Sequence, residues 1–350
     1  MRILCFSDIH FHHTHRFSHI TPEGYTIREL EHLSCADDII RICQEDNIDK
    51  VIFVGDLYGP VSDNLSTQTQ MAVCEFIDKI RKVKPLDLIV GNHDLSGTTN
   101  YKYAHKLIPF KYWNNVEVYE KPTVVNDYFV YMPYCTSDEY ATSVLENITD
   151  KHNKIVFSHL ELKGINLGNG IETTHGVPLD LLSQFKMTIQ GHYHGSSSYA
   201  KNIQVVGSTQ RLSFKDPGKS RNNIIIYDDE TNTIERRSFS CPDWLTFTDD
   251  NIDQILTADL NNYVKVEVTS DVLLTPEIQT RLELFKGKDI HIDLTRISFD
   301  KHSSANINQD NTSEDEISII KQFIDKTDNN KKEKEDLLNE GIRLLDKVKI

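Results

Sequence analysis

Apolar residues in the first 240 positions come in short runs separated by stretches of helical spacing. Arg2–Phe6 and residues 50–54 are five-residue apolar-rich runs, and between them Leu30, Leu33, Ile39, Ile40 and Ile42 recur at roughly three-to-four spacing. A second helical pattern, carried by Met71, Val73, Cys74, Phe76, Ile77 and Ile80, leads into the run at 86–90. Further runs follow at 116–119, 123–125, 129–132, 154–158, 187–190, 204–206 and 223–227. Strand–helix–strand alternation predicts an α/β layered core with parallel pairing, and the number of runs suffices for two sheets packed face to face.

The pattern changes at Cys241-Pro242. Runs at 263–268 and 289–294 flank a helical stretch at 276–284 and predict a small βαβ-like unit over 241–300. Residues 301–312 are polar and read as a linker. Ser313-Glu314-Asp315-Glu316 then supplies an N-cap and an acidic first turn before Ile317, Ile320, Phe323 and Ile324. A second amphipathic helix carries Leu338, Ile342, Leu345 and Val348. Two short helices bury little by themselves, so residues 313–350 either dock on the parent domain or form a partner-binding hairpin, the second reading being preferred.

Composition narrows the class. With Lys+Arg 38 against Asp+Glu 53 the formal charge is −15, which argues against broad charge-driven nucleic-acid binding and requires a local patch, bound cations or another subunit for such a partner. Six scattered cysteines without a C-x-x-C pair read as reduced thiols, so a cytoplasmic location is expected. No apolar run is long enough for a spanning helix, so no membrane partner is expected.

The chemistry lies at the ends of the strands. Asp8-x-His10 follows the first run, Gly55-Asp56 the second, Gly91-Asn92-His93-Asp94 the third, Ser158-His159 the run at 154–158, and Gly191-His192-Tyr193-His194 the run at 187–190. Each group alone is a weak signal, but all five in this order place metal-type donors in the crevice where α/β sites assemble. Carboxylate, imidazole and amide oxygen without thiolate suit divalent Mn, Fe or Zn. A carboxylate shared by two cations roughly 3.5–4 Å apart suits in-line phosphoryl displacement by a water of lowered pKa.

The order D-x-H … G-D … G-N-H-D … S-H … G-H-x-H resembles the calcineurin-like metallophosphoesterase superfamily over roughly residues 1–240. The layout beyond it is similar to the SbcD-type recombination nucleases, in the shorter form found in T4-like bacteriophages. The resemblance implies a four-layer α/β/β/α sandwich (1–240), a small α+β DNA-binding cap (241–300), a linker (301–312) and a C-terminal helical pair (313–350). It implies that Asp8, His10, Asp56 and His194 hold one metal and that Asp56, Asn92, His159 and His192 hold the other. His93 would contact the scissile phosphate, with Asp94 orienting it. Two divalent ions, Mn²⁺ above Mg²⁺, Fe²⁺ or Zn²⁺, would be the cofactors. The resemblance further implies DNA exonuclease and endonuclease action on ends, hairpins and single strands in repair and recombination. It implies a homodimer and an SMC-like ABC ATPase whose coiled coil binds Ile317, Ile320, Phe323, Ile324, Leu338, Ile342 and Leu345. A viral origin would place it in the host cytoplasm.

One departure stands out: Gly59 occupies the position where many relatives carry the last residue of G-D-x-x-H or G-D-x-x-D. Tyr101 and Lys102, in the aromatic–basic stretch 101–106, and Arg211 and Lys215, in the loop 211–221, are candidate DNA contacts. His12, His13, His15 and His19 read as a solvated loop beside the site, and His175 as a cleft-lining candidate. A small-molecule phosphodiesterase on the same core, or a non-catalytic DNA clamp, are the rival readings.

Overall fold

The structure, a computed structural model, describes residues 1–13, 18–59, 65–96, 104–165, 172–214, 216, 222–269 and 273–285, with the backbone of 287–292. The linker and helical pair expected over 301–350, with all seven of their proposed partner contacts, lie outside the described residues, as do Tyr101, Lys102, Lys215 and His15. Residues Met1–Arg296 form one compact unit.

In chain order the elements are β1 (Arg2–Phe6), α1 (Ile27–Glu45), β2 (Lys50–Phe53), α2 (Thr67–Arg81), β3 (Leu86–Ile89), β4 (Val116–Tyr119), β5 (Thr123–Val125) and β6 (Phe129–Met132). Then follow α3 (Asp138–Glu146), β7 (Ile155–Ser158), the short pair β8 (Leu162–Lys163) and β9 (Val177–Pro178), α4 (Leu179–Leu182), β10 (Met187–Gln190), β11 (Ser197–Ser198) and β12 (Ile203–Val205). The chain continues through β13 (Ile224–Asp228), β14 (Thr233–Arg237), β15 (Trp244–Thr248), β16 (Tyr263–Val268), α5 (Pro276–Leu282) and β17 (Gly287–Ile292).

Two six-stranded sheets result, ordered β14-β13-β1-β2-β3-β4 and β11-β12-β10-β7-β6-β5. In the first, β1 to β4 are parallel; in the second, β12, β10, β7 and β6 are parallel. Side chains alternate along a strand, so β1 sends Leu4 and Phe6 into the apolar layer under α1 and α2. Ile3 and Cys5 go instead into the layer between the sheets, where they meet Tyr131, Phe157 and Ile189. Both faces of the strand are therefore buried, which is why it reads as a continuous apolar run. A third layer packs α3 and α4 on the outer face of the second sheet through Ala141, Leu145 and Leu182. The arrangement is the expected α/β/β/α sandwich.

Helix α1 begins with a capping box, in which Thr26 accepts from the Glu29 amide and the Glu29 carboxylate accepts from the Thr26 amide. Glu29 also takes the Thr69 hydroxyl of α2 at 2.7 Å, so the cap fastens the two helices together. Thr26→Ala is expected to lower stability by about 1–2 kcal/mol, seen as a lower urea midpoint with unchanged slope.

Beyond β14 the chain forms a three-stranded sheet, β15-β16-β17, all parallel, with α5 between β16 and β17 in sequence and the last strand at Gly287–Ile292 rather than 289–294. It has its own apolar cluster, including Phe247, Ile255, Val264, Val266, Ile278 and Leu282.

Candidate metal centre

The loops after β1, β2, β3, β7 and β10 converge. Three groups of donors gather there: Asp8, His10 and His194; His10, Asp56 and His93; and Asp56, His159 and His192, the donor atoms of each lying within 4.8 Å of one another. Asn92 joins the last group, its Oδ1 standing 3.2 Å from His159 Nε2 and 3.1 Å from His192 Nδ1. Asp56 lies between the two ends of the site, with Oδ2 3.8 Å from His10 Nε2 and 3.2 Å from His159 Nε2. All seven residues expected from the motif order therefore meet in one place, and His93 stands with them.

The backbone is shaped around this convergence. Asp8, His10, Asp56 and His192 all have φ between +53° and +71°, a left-handed region that costs non-glycine residues of order 1–3 kcal/mol and concentrates at functional sites. Glycines let the strand ends approach: a Cβ on Gly91 would lie 2.2 Å from Asp56 Oδ1, and one on Gly191 2.2 Å from the Val54 carbonyl.

Ring orientation is fixed from behind. His159 Nδ1 donates to the Val54 carbonyl at 2.6 Å, which turns Nε2 toward Asp56 and Asn92. His194 Nδ1 donates to Asp216 Oδ1 at 3.3 Å and leaves Nε2 3.1 Å from His10 Nε2. Asp8 Oδ1 and His10 Nδ1 are buried without a hydrogen-bond partner, a costly state for polar atoms. Burial holds the His10 and His192 rings neutral, pushing each down to about 3. Buried carboxylates, neutral imidazoles, an amide oxygen and no thiolate fit divalent cations of hard to borderline character.

His159 behaves differently. Burial, the largest influence, favours the neutral ring, but the Asp56 and Asp8 carboxylates and the Val54 carbonyl outweigh it and push it up to about 9. A histidine raised above its unfolded value of 6.5 contributes stability that is complete below 6.5 and is lost as pH rises through about 9. His194, raised chiefly by Asp216 against the effect of burial, adds to the same trend. In chelator, the urea midpoint is therefore expected to fall between pH 6.5 and 9. Excess Mn²⁺ should reverse the slope, because cations require the neutral ring. A midpoint that climbs across this window in chelator would contradict the assignment.

Several expectations are corrected by the geometry. Asp94 does not orient the His93 ring: its buried carboxylate accepts the amides of Asp56, Leu57, Tyr58 and Gly91 at 2.9–3.1 Å, clasping the turn after β2 to the turn after β3. His93 is held through its backbone instead, its amide donating to Asp56 Oδ1 at 2.8 Å and its carbonyl accepting from Lys106 at 2.8 Å. Arg211 does not face a phosphate: its guanidinium, 12% exposed, is engaged by the Trp244, Phe214 and Asp216 carbonyls and by Asp243. His12 and His13 are not simply solvated. His12 donates to the His10 carbonyl at 2.8 Å, His13 meets Glu29 at 3.1 Å, and His19 alone of the three is exposed. His12 also fills the space beside Gly59, where a Cβ would come within 3.0 Å of it. His175 is exposed and paired with Glu161 at 3.1 Å.

Asp216 escaped the sequence reading altogether, since a lone acid in the basic stretch 211–221 carries no spacing signal. Ser7 did too; its hydroxyl donates to Asp8 Oδ2.

The chain is similar to several known proteins. "Putative phosphoesterase 244L" of Invertebrate iridescent virus 6 is 27% identical over 213 residues, covering 57% of this chain and 73% of that protein. "Exonuclease subunit 1" of Enterobacteria phage T4 is 26% identical over 245 residues, covering 63% of this chain and 70% of that protein. Among solved structures, a novel archaeal phosphodiesterase aligns at 15% identity and a TM-score of 0.35, covering 67% of this chain and 98% of that one. The family described as calcineurin-like phosphoesterase matches residues 1–218, a span that ends beyond the last of the gathered donors. The chain belongs to the calcineurin-like phosphoesterase family.

Proposed function

We propose that the chain is the nuclease subunit of an SMC-like ATPase–nuclease complex, cleaving DNA phosphodiesters at ends, hairpins and single strands during repair and recombination. The similarity to the phage T4 exonuclease subunit carries the DNA part of this reading. The sheet β15-β16-β17, which follows the family-matched residues, supports it as a candidate cap, since a small-molecule phosphodiesterase leaves that unit unexplained.

In this reading Asp8, His10, Asp56 and His194 hold one cation, and Asp56, Asn92, His159 and His192 the other, Mn²⁺ being the proposed ion. Two divalent cations so placed supply Lewis-acid stabilisation of phosphoryl charge and a water acidified toward neutrality. The chain's own residues do the rest. Asp56 is shared by both groups; Asp94 keeps the two turns in register; His93, half-buried at the same place, is set to contact the scissile phosphate and serve the leaving oxygen. The rings of His192 and Tyr134 stand 6.3 Å apart and line the far end.

The acidic chain would bind DNA weakly alone and more tightly, with salt sensitivity, beside its ATPase. The ATPase is proposed to contact the helical pair at 313–350, and the complex to contain two copies of this chain. Among the described residues no helix is long and apolar enough to cross a membrane, and the proposed location is the cytoplasm.

The test is a Mn²⁺-dependent assay on linear, hairpin and single-stranded DNA, with bis-p-nitrophenyl phosphate in parallel. Cleavage of DNA that drops by about 10²–10⁴-fold in His93→Ala is the expected result. Turnover of the small ester with every DNA left intact, even with the ATPase present, would sink the nuclease reading and favour a small-molecule phosphodiesterase.

A further inference from the structure

The two candidate cation positions are supported in different ways. His159 is oriented by the Val54 carbonyl at 2.6 Å, from the end of β2, and so leans on the central sheets. His194 is oriented by Asp216, which lies in a loop between β12 and β13. There Arg211 ties the described residues together, its guanidinium donating to the Phe214 carbonyl at 3.3 Å and the Asp216 carbonyl at 3.1 Å. Asp216 Oδ2 in turn accepts the Leu212 amide at 2.5 Å.

The same guanidinium fastens the loop to the C-terminal sheet. Its other amino group donates to the Trp244 carbonyl at the start of β15 and stands 3.7 Å from the Asp243 carboxylate. Arg28 of α1 joins the same set of contacts. It donates to the Arg211 carbonyl at 3.3 Å and lies 4.9 Å over the Trp244 ring and 5.2 Å over the Tyr263 ring. It also pairs with Glu31 at 2.8 Å, and Glu31 accepts the Tyr263 hydroxyl at 2.8 Å. A planar guanidinium holding several carbonyls at once is rigid and specific, unlike an ammonium on a flexible stem.

We propose that Arg211 and Asp216 are positioning residues that seat His194 against Asp8 and His10, so that the cation position built on His194 depends on how the sheet β15-β16-β17 is docked, while the position built on His159 and His192 does not. The proposal rests on the two-cation reading above. It gives the sheet a means to act on the site: whatever shifts Trp244 and Tyr263 alters one cation position selectively, and filling that position stiffens the docking in return. A carboxylate behind a ligating histidine is commonly worth 10–100-fold in metal affinity, which sets the size of the effect.

The test titrates MnCl₂ into the metal-free full-length protein by calorimetry. Wild type is expected to show two binding steps, assigned by His194→Ala, which removes one, and His192→Ala, which removes the other. Asp216→Ala and Arg211→Ala should each weaken only the step lost in His194→Ala, by about 10–100-fold. Trp244→Ala should weaken the same step, although it removes no donor. Adding Arg211→Ala to His194→Ala should cost nothing further, because both act on one position. If Arg211→Ala does not fold, Asp216→Asn preserves the side-chain shape and tests the same link, with thermal unfolding as the control. Two steps that weaken together, or neither weakening in a folded variant, would overturn the relay. A wild type that binds no Mn²⁺ would instead bring down the two-cation reading on which it stands.

Discussion

Asp56→Asn is expected to reduce phosphoester turnover by at least about 10³-fold, equivalent to the several kcal/mol of charge stabilisation that a bound cation pair supplies. Asp56 reaches both ends of the site: its Oδ2 is 3.2 Å from His159 and 3.8 Å from His10, and its Oδ1 accepts the His93 amide at 2.8 Å. Asparagine keeps the shape and the oxygen facing His93, so the fold should survive while the shared negative charge is lost. A second readout separates loss of cations from loss of structure. Mn²⁺ at about 100 times its dissociation constant should stabilise wild type by roughly 2.7 kcal/mol, and should leave the variant's melting temperature unmoved. Turnover within tenfold of wild type, or an undiminished Mn²⁺-induced rise, would show that Asp56 is not the shared ligand.

Gly55→Ala should lower stability by about 3 kcal/mol or more, from strain and overpacking together. Gly55 has φ +97°, and a Cβ there would lie 2.2 Å from His159 Nδ1 and 2.5 Å from His159 Cγ. The ring cannot retreat, because it is fully buried and its Nδ1 already donates to the Val54 carbonyl. A drop of roughly 6–12 °C in melting temperature follows from the usual scaling for a domain of this size. Gly195→Ala is the matched control: a Cβ there meets nothing within 4 Å, and stability should stay within about 0.5 kcal/mol of wild type. Equal melting temperatures for the two variants would mean that the close approach at Gly55 is not needed.

Elements buried on both faces were legible in the chain, as were the amphipathic helices α1 and α2 and the edge strands β4 and β5. Strands β1, β2, β3 and β7 read as apolar runs because they send side chains into two different apolar layers. Three elements carry a weaker pattern. Helix α3 buries only Ala141 and Leu145. Strand β14, at the edge of its sheet, has no fully buried residue. Strand β15 was hidden behind Cys241-Pro242, although its Trp244 and Phe247 are buried.

The candidate ligands were readable for a related reason. Each follows its own strand directly, so a short stretch of sequence fixes where it emerges, and parallel pairing brings those ends to one side. The chain by itself therefore determined the layered α/β class, the five strand-end groups and the donor chemistry, all of which depend on local order along the polypeptide. Only the tertiary structure decided that Asp94 clasps backbone amides rather than the His93 ring, that Arg211 is held inside by carbonyls rather than open to a phosphate, and that Asp216 stands behind His194. Those roles are set by which groups lie across space from a side chain, Asp94 being 38 positions from Asp56 and Arg211 33 from Trp244. A hydrogen bond depends on an approach of about 3 Å between such groups, and neither residue type nor spacing along the chain encodes that distance.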